Sequence, residues 1–196
     1  MLPFVSKNKY AAFIALLATL VAVPASAANQ QYDWTPFFKS WENACELEPQ
    51  EVMFTSMLPD SETLALGSIV VPKKYALAVD SALTTTFYDM DGNLSSKGDA
   101  NYFDTRFDVV GSYYGIPMAS IGFVGGVGNG IYMPYFVLNA NITDVRKTLR
   151  QKNIVINYES SEFHDSDMYG NSDIGMEIQV NDKDPTRTDI ICNFSN

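Results

Sequence analysis

The chain contains 196 residues, of which 46% are apolar and 18% are charged, and its 23 acidic side chains outnumber 13 lysines and arginines to give a formal net charge of −10. This acidity argues against a protein that collects nucleic acid or anionic lipid, because binding to phosphate depends on lysine and arginine side chains. The length and the apolar share suit one domain with a sizeable hydrophobic core.

The beginning of the chain has the pattern of a secretory signal peptide. Two lysines precede a run from 11 to 23 that is apolar apart from Thr19, and the small residues Ala25 and Ala27 follow it. The run is too short to span a bilayer, and small residues at those positions suit the export peptidase. We therefore expect residues 1–28 to be cleaved and residues 29–196 to form a single α+β domain in the periplasm or outside the cell. That domain has no transmembrane segment, and its 11 basic and 23 acidic residues give a formal charge of −12.

The two cysteines, Cys45 and Cys192, are predicted to form a disulfide. Cysteines pair in the oxidising compartments to which a signal peptide leads. A catalytic dithiol is the alternative, but redox pairs usually lie close together as Cys-x-x-Cys. We expect a structural bond that joins the two ends of the domain and stabilises it by up to about 5 kcal/mol.

The first predicted element is a helix over residues 36–48. Thr35 is suited to cap its free amides, and the proline that follows loses no hydrogen bond at the first helical position. Trp41 and Cys45 fall at helical spacing on its buried face. A second, shorter helix is expected over residues 51–57.

The pattern then changes to that of extended strands. Residues 64–71 are rich in branched side chains. Between 75 and 87, the larger apolar residues lie two positions apart, or a multiple of two positions apart. Alanines leave a helix over 74–83 as an alternative. Residues 89–93 favour a turn, and 103–109 alternate as a strand with one face in water.

The second half of the chain is predicted to add five strands and one long helix. The strands are expected at 118–124, 131–138, 153–158, 175–181 and 187–194. The helix should cover 142–152, with Asn141 or Thr143 as its cap and Val145 and Leu149 on its buried face. The expected fold class is α+β: a mostly antiparallel sheet packed with two main helices, 36–48 and 142–152, and closed by the disulfide.

A glycine-rich stretch over 125–130 is the most motif-like segment of the chain. Glycine loops that hold phosphate lead into a helix, whereas this stretch leads into a predicted strand. The context therefore favours a hairpin connection. We expect an exposed loop that contacts a partner through Gly126, Gly128 and Asn129, with Tyr132 beside them.

Two acidic clusters resemble calcium-binding loops incompletely. Asp89, Asp91 and Asn93 match the first three ligand positions, but a leucine and an alanine stand where the loop needs glycine and glutamate. The second cluster, over 165–173, has its glycine in place, with a tyrosine and a methionine at ligand positions. Both favour solvated turns, so no metal and no cofactor is predicted, and a calcium-binding envelope protein is kept as an alternative.

Catalytic motifs are poorly represented. The single histidine, His164, has no convincing nucleophile near it, and the chain has no Gly-x-Ser-x-Gly elbow. An envelope hydrolase that combines carboxylates with His164 remains the enzyme alternative, because 23 acidic residues offer many pairs. We therefore predict a protein that is more a binder than an enzyme.

Together, export, small size, one disulfide and strong acidity predict a binding or inhibitor-type protein that meets a basic partner. The specific form of this hypothesis is an immunity protein that blocks a basic toxin or a wall-degrading enzyme. Function concentrates on loops that a rigid sheet holds, so the acidic loop over 159–173, which follows the predicted strand 153–158, should join the glycine loop. Its predicted contact residues are Asp165, Asp167, Tyr169 and Asp173.

Overall fold

The computed structural model describes residues 32–42, 45–48, 50–60, 67–79, 82–128, 130–154, 158–160 and 175–193. The predicted signal peptide lies outside these residues. Also outside them are the predicted site residues Asn129, His164, Asp165, Asp167, Tyr169 and Asp173.

The described residues form an α+β fold with three α-helices and eight strands. The α-helices are α1 (Thr35–Phe38), α2 (Glu51–Met57) and α3 (Ile142–Gln151), and short 3-10 helices cover Lys39–Glu42, Lys73–Tyr75 and Lys97–Asp99. The strands are β1 (Thr84–Tyr88), β2 (Tyr102–Asp108), β3 (Ser112–Tyr113), β4 (Ile116–Gly126), β5 (Tyr132–Leu138), β6 (Tyr158–Ser160), β7 (Gly175–Val180) and β8 (Thr188–Asn193).

The strands belong to one sheet with the order β1-β2-β4-β5-β8-β7-β6, and β3 pairs with β4 outside this path. Every pair of named strands is antiparallel apart from β6 and β7, which are parallel. The predicted fold class, a mostly antiparallel sheet with helices and a disulfide, is confirmed. Short turns join two of the antiparallel pairs, β4 with β5 and β7 with β8, as antiparallel strands allow, whereas a parallel pair needs a longer crossover.

The helices cover one face of the sheet. Alternate side chains of the central strands point to this face, as the sheet period of two requires, and Phe136 and Ile190 are fully buried there. The rings of Phe38 and Trp41 lie 4.5 and 5.4 Å from the ring of Phe136. Val145 of α3 completes the same core. We call the other face of the sheet, which carries Tyr135, the polar face.

The first helix is shorter than the predicted 36–48 element. The α-helix ends at Phe38 and continues as one 3-10 turn, and Cys45 has a left-handed φ of 58°. Thr35 does not act as the cap. Its amide donates to the Asp33 carboxylate, and its hydroxyl oxygen accepts from the Tyr114 amide at 2.8 Å. The bond to Asp33 is local, whereas the bond from Tyr114 is a tertiary contact that the local sequence does not encode.

The segment before β1 is mostly irregular, although a strand was predicted for 64–71. Within its described part, 67–71, the structure has no strand, and the alternative helix over 74–83 is reduced to the 3-10 turn Lys73–Tyr75. The reason is packing, because the Tyr75 ring stacks on the Trp34 ring at 4.1 Å and its hydroxyl donates to the Asp33 carbonyl. The segment serves as a cover for the core.

The predicted helix over 142–152 is present as α3. The side chain of Asn141 accepts from the Asp144 amide at 3.0 Å, so Asn141 rather than Thr143 is the cap. Val145 and Leu149 are fully buried.

The predicted disulfide between Cys45 and Cys192 is present, with the two Cα atoms 5.6 Å apart. It ties the turn after the first 3-10 helix to β8, and both residues are fully buried. In the part of the chain that the structure describes, no helix has both the length and the apolar character needed to cross a membrane.

Candidate functional site

The glycine-rich stretch forms the hairpin between β4 and β5, as predicted. The Gly126 amide donates to the Ile131 carbonyl at 3.1 Å and closes the turn. Gly128 and Gly130 have φ values of 77° and 78°, a conformation that glycine adopts without steric cost. No atom lies within 4 Å of a Cβ built on either residue. The tip is therefore an exposed turn whose shape depends on its glycines.

Tyr132 lies beside this loop but does not project from it. Its ring packs edge-on against the Phe123 ring at 4.6 Å, on the side that the helices cover. Burial raises the pKa of its hydroxyl to about 12, with a further increase from the charge of Glu51. The structure thus brings Gly126 and Gly128 to the exposed hairpin and places Tyr132 as packing beneath it.

The glycine hairpin is held to the connection between β1 and β2. The Val127 amide donates to the Asn101 carbonyl at 2.8 Å, and the Asn101 amide donates to the Tyr88 carbonyl at 2.8 Å. Two loops therefore lie side by side at this end of the sheet.

The predicted turn over 89–93 opens that connection. The Asp89 carboxylate accepts from the Asp91 and Asn93 amides at 2.9 and 2.8 Å. The hydrogen bond from the Asn93 backbone is the main cause that lowers the pKa of Asp89. These oxygens organise the turn, which is the usual role of aspartate at such a position. Among the described residues, no group of three or more histidine, cysteine or acidic side chains is placed to hold a metal ion.

A second candidate site lies on the polar face of the sheet and was not predicted. Asp104 of β2 and Asp189 of β8 are 8% and 7% exposed. The alternation of β2 placed Asp104 on a face in water, but the structure buries it. Buried carboxylates need partners, because desolvation penalises their charge.

Asp104 has such a partner in Tyr135. The Tyr135 hydroxyl donates to the Asp104 carboxylate at 2.5 Å, and it reaches across β4 to do so. Gly122 makes this possible, because it lies opposite Tyr135 in the ladder and has no side chain. A Cβ on Gly122 would stand 2.1 Å from Cζ of Tyr135. Glycine is required at this position because it leaves room for the Tyr135 ring, and not because the backbone adopts an unusual angle.

A lysine from a distant corner of the sheet completes the cluster. Lys183 Nζ lies 3.5 Å from the Asp104 carboxylate and 3.3 Å from the Tyr88 hydroxyl. Lys183 belongs to the β7–β8 turn, near the end of β5, whereas Tyr88 is at the sheet end where β5 begins. The right-handed twist of a sheet brings opposite corners together in this way. The polar face is therefore curved around the cluster.

Asp189 is tied to the same turn. Its carboxylate accepts from Nδ2 of Asn181 at 2.8 Å, and the Asn181 oxygen accepts from the Lys183 and Asp184 amides. Burial raises the pKa of Asp189 to about 7, and the charges of Asp182 and Asp104 add to this increase against the hydrogen bond from Asn181. A buried acid that changes charge near neutrality can bind a proton or a cation.

Stability should therefore fall as the pH rises from about 4 to 7, because the folded protein retains a proton on Asp189 that the unfolded chain releases near pH 4. The slope from this group is at most about 1.4 kcal/mol per pH unit. Urea unfolding at several pH values should show a flatter profile for Asp189→Asn than for the wild type. An identical profile in the two proteins would show that Asp189 does not cause the dependence.

Comparison with known proteins adds no relative, since no protein-family model, curated protein or solved structure matches this chain. The class that the structure defines is an acidic α+β protein with an exposed loop end and a buried carboxylate cluster. Sequence reasoning missed the cluster because its members come from β1, β2, β5, β8 and a turn. The available signal was a glycine within the buried strand β4, which indicates close approach by a neighbour.

Proposed function

We propose that this is an exported binding or inhibitor-type protein that acts on a basic protein in the periplasm or outside the cell. Its specific form is an immunity protein that blocks a basic toxin or a wall-degrading enzyme. The observation that carries the proposal is the exposed glycine hairpin, with Gly128 and Gly130 open to solvent at the end of a rigid sheet. A protruding, backbone-defined loop suits insertion into a partner better than it suits catalysis.

Charge and the disulfide support the same proposal. A formal net charge of −10 attracts a basic partner and accelerates its encounter. The Cys45–Cys192 bond fits an oxidising compartment, as an exported protein requires. The proposed contact surface combines the hairpin with the acidic residues Asp165, Asp167 and Asp173 and with Tyr169 as an aromatic anchor.

The purified protein should retain a basic envelope protein at low salt and release it as the salt concentration rises. At physiological ionic strength, salt limits the range of attraction between exposed charges to about 8 Å. A complex held by such charges therefore weakens steeply as salt is added. Affinity capture from the native envelope at 20 and 500 mM salt measures this. An empty column at low salt would contradict the proposal.

A second candidate function is that of a hydrolase which uses carboxylates, with His164 as a further proposed participant. The buried carboxylate of Asp189 favours it, because burial raises the pKa of Asp189 to about 7 and an acid that titrates near neutrality can act as a general acid. Turnover of a glycan or peptide wall substrate that is lost in Asp104→Asn and Asp189→Asn would favour this function over binding.

A further inference from the structure

The connection between β1 and β2 exposes two large apolar side chains within five residues. Met90 is 73% exposed and Leu94 is 78% exposed. A single exposed apolar residue is ordinary on a protein surface, whereas neighbouring ones with a polar rim are typical of interaction sites. Both lie at the sheet end that carries the glycine hairpin.

The backbone that carries these side chains is held in place. Asp89 and Asn93 close the turn through the Asp89 amide and the Asn93 carbonyl at 2.9 Å. Leu94 forms a bridge with Tyr88, and the Ser95 amide donates to the Phe87 carbonyl at 2.9 Å. A surface that is already ordered loses little conformational entropy when it binds.

Acidic residues flank the two apolar side chains along the same connection. Asp91 and Asp99 are exposed and Asp89 is half-buried, while Lys97 is the one basic residue of the 89–101 connection. The Ser96 hydroxyl donates to the Asp99 carboxylate at 2.7 Å and fixes its position. Carboxylates around an apolar centre are complementary to a basic rim around an apolar pocket.

We propose that Met90 and Leu94, with the carboxylates of Asp89, Asp91 and Asp99, form the docking surface for the basic protein partner. We call this set the acidic turn surface. The proposal rests on the proposed function and adds to it a further part of the contact surface: the two apolar side chains supply an apolar contact beside the glycine hairpin, and the carboxylates face the partner's basic residues. The glycine hairpin contributes the neighbouring part of the interface through Val127.

The test uses the basic protein retained by the wild type at low salt, purified and titrated by calorimetry against variants of the full protein. The double variant Met90→Ser with Leu94→Ser should weaken the complex at least about tenfold, because central apolar contacts carry much of the binding energy. Asp91→Asn with Asp99→Asn should slow association at low salt and have little effect at high salt. Asp89 is left unchanged because its carboxylate holds the turn.

Leu77→Ser is the matched control, since Leu77 is 86% exposed and follows the 3-10 helix Lys73–Tyr75, outside this connection. It should leave the affinity within about twofold of the wild type, and melting temperatures should agree across the set. Equal affinity in all variants, or equal loss with Leu77→Ser, would overturn the acidic turn surface while the proposed function stands. If no basic protein is retained at low salt, both proposals fail.

Discussion

Replacing both cysteines by serine is expected to lower the free energy of unfolding by about 2 to 5 kcal/mol. Cys45 and Cys192 are separated by 147 positions, so their bond restricts a very large loop in the unfolded chain. Both sites are also fully buried, which leaves two serine hydroxyls in an apolar environment. Urea unfolding, followed by the fluorescence of the buried Trp34 and Trp41, measures the loss.

Two comparisons separate the bond from the side chains. Wild-type protein in reductant should approach the stability of the variant, and Cys45→Ala with Cys192→Ala should recover the part that is due to the hydroxyls. An unchanged unfolding midpoint in reductant would show that the disulfide adds no stability.

Gly122→Ala should destabilise the protein by about 2 to 4 kcal/mol, although it adds a single methyl group. The new Cβ would overlap the Tyr135 ring, with 2.1 Å to Cζ. The ring must then move, and its movement breaks the 2.5 Å bond that satisfies the buried Asp104 carboxylate. Thermal and urea unfolding both report this change.

The control for this prediction is the same substitution where nothing stands in the way. Gly98→Ala, with no atom within 4 Å of its Cβ, should change stability by less than about 0.5 kcal/mol. In a Tyr135→Val background, Gly122→Ala should cost less than about 1 kcal/mol, because the clashing ring is gone. Equal costs in both backgrounds would rule out the overlap with Tyr135 as the cause.

The sequence predicted those elements whose signals are local. The cap at Asn141 and the apolar positions Val145 and Leu149 defined α3, and strand alternation located β2. The disulfide followed from cysteine count and compartment. The prediction for the segment around Tyr75 was wrong. Its apolar residues alternate, but Tyr75 packs on Trp34 and donates to the Asp33 backbone, both of which are distant in sequence.

The same difference between local and distant signals applies to the two candidate sites. The glycine hairpin was predictable because glycines leading into a strand favour a turn, and the structure has one there. The Asp104 cluster was not, since alternation places Asp104 on the polar face but does not say that Tyr135 and Lys183 cover it. Burial of a polar side chain depends on the curvature of the whole sheet, which no short sequence window contains.

The position of the disulfide also limits when the bond can form. Cys45 follows the first helix and Cys192 lies in β8, the last strand that the structure describes. A chain that emerges from its amino end therefore offers Cys45 no second cysteine until Cys192 has emerged. In the folded protein, Cys192 is carried by a strand that pairs with β5, in the interior of the sheet. The covalent bond therefore ties the turn after the first 3-10 helix to an interior strand of the sheet.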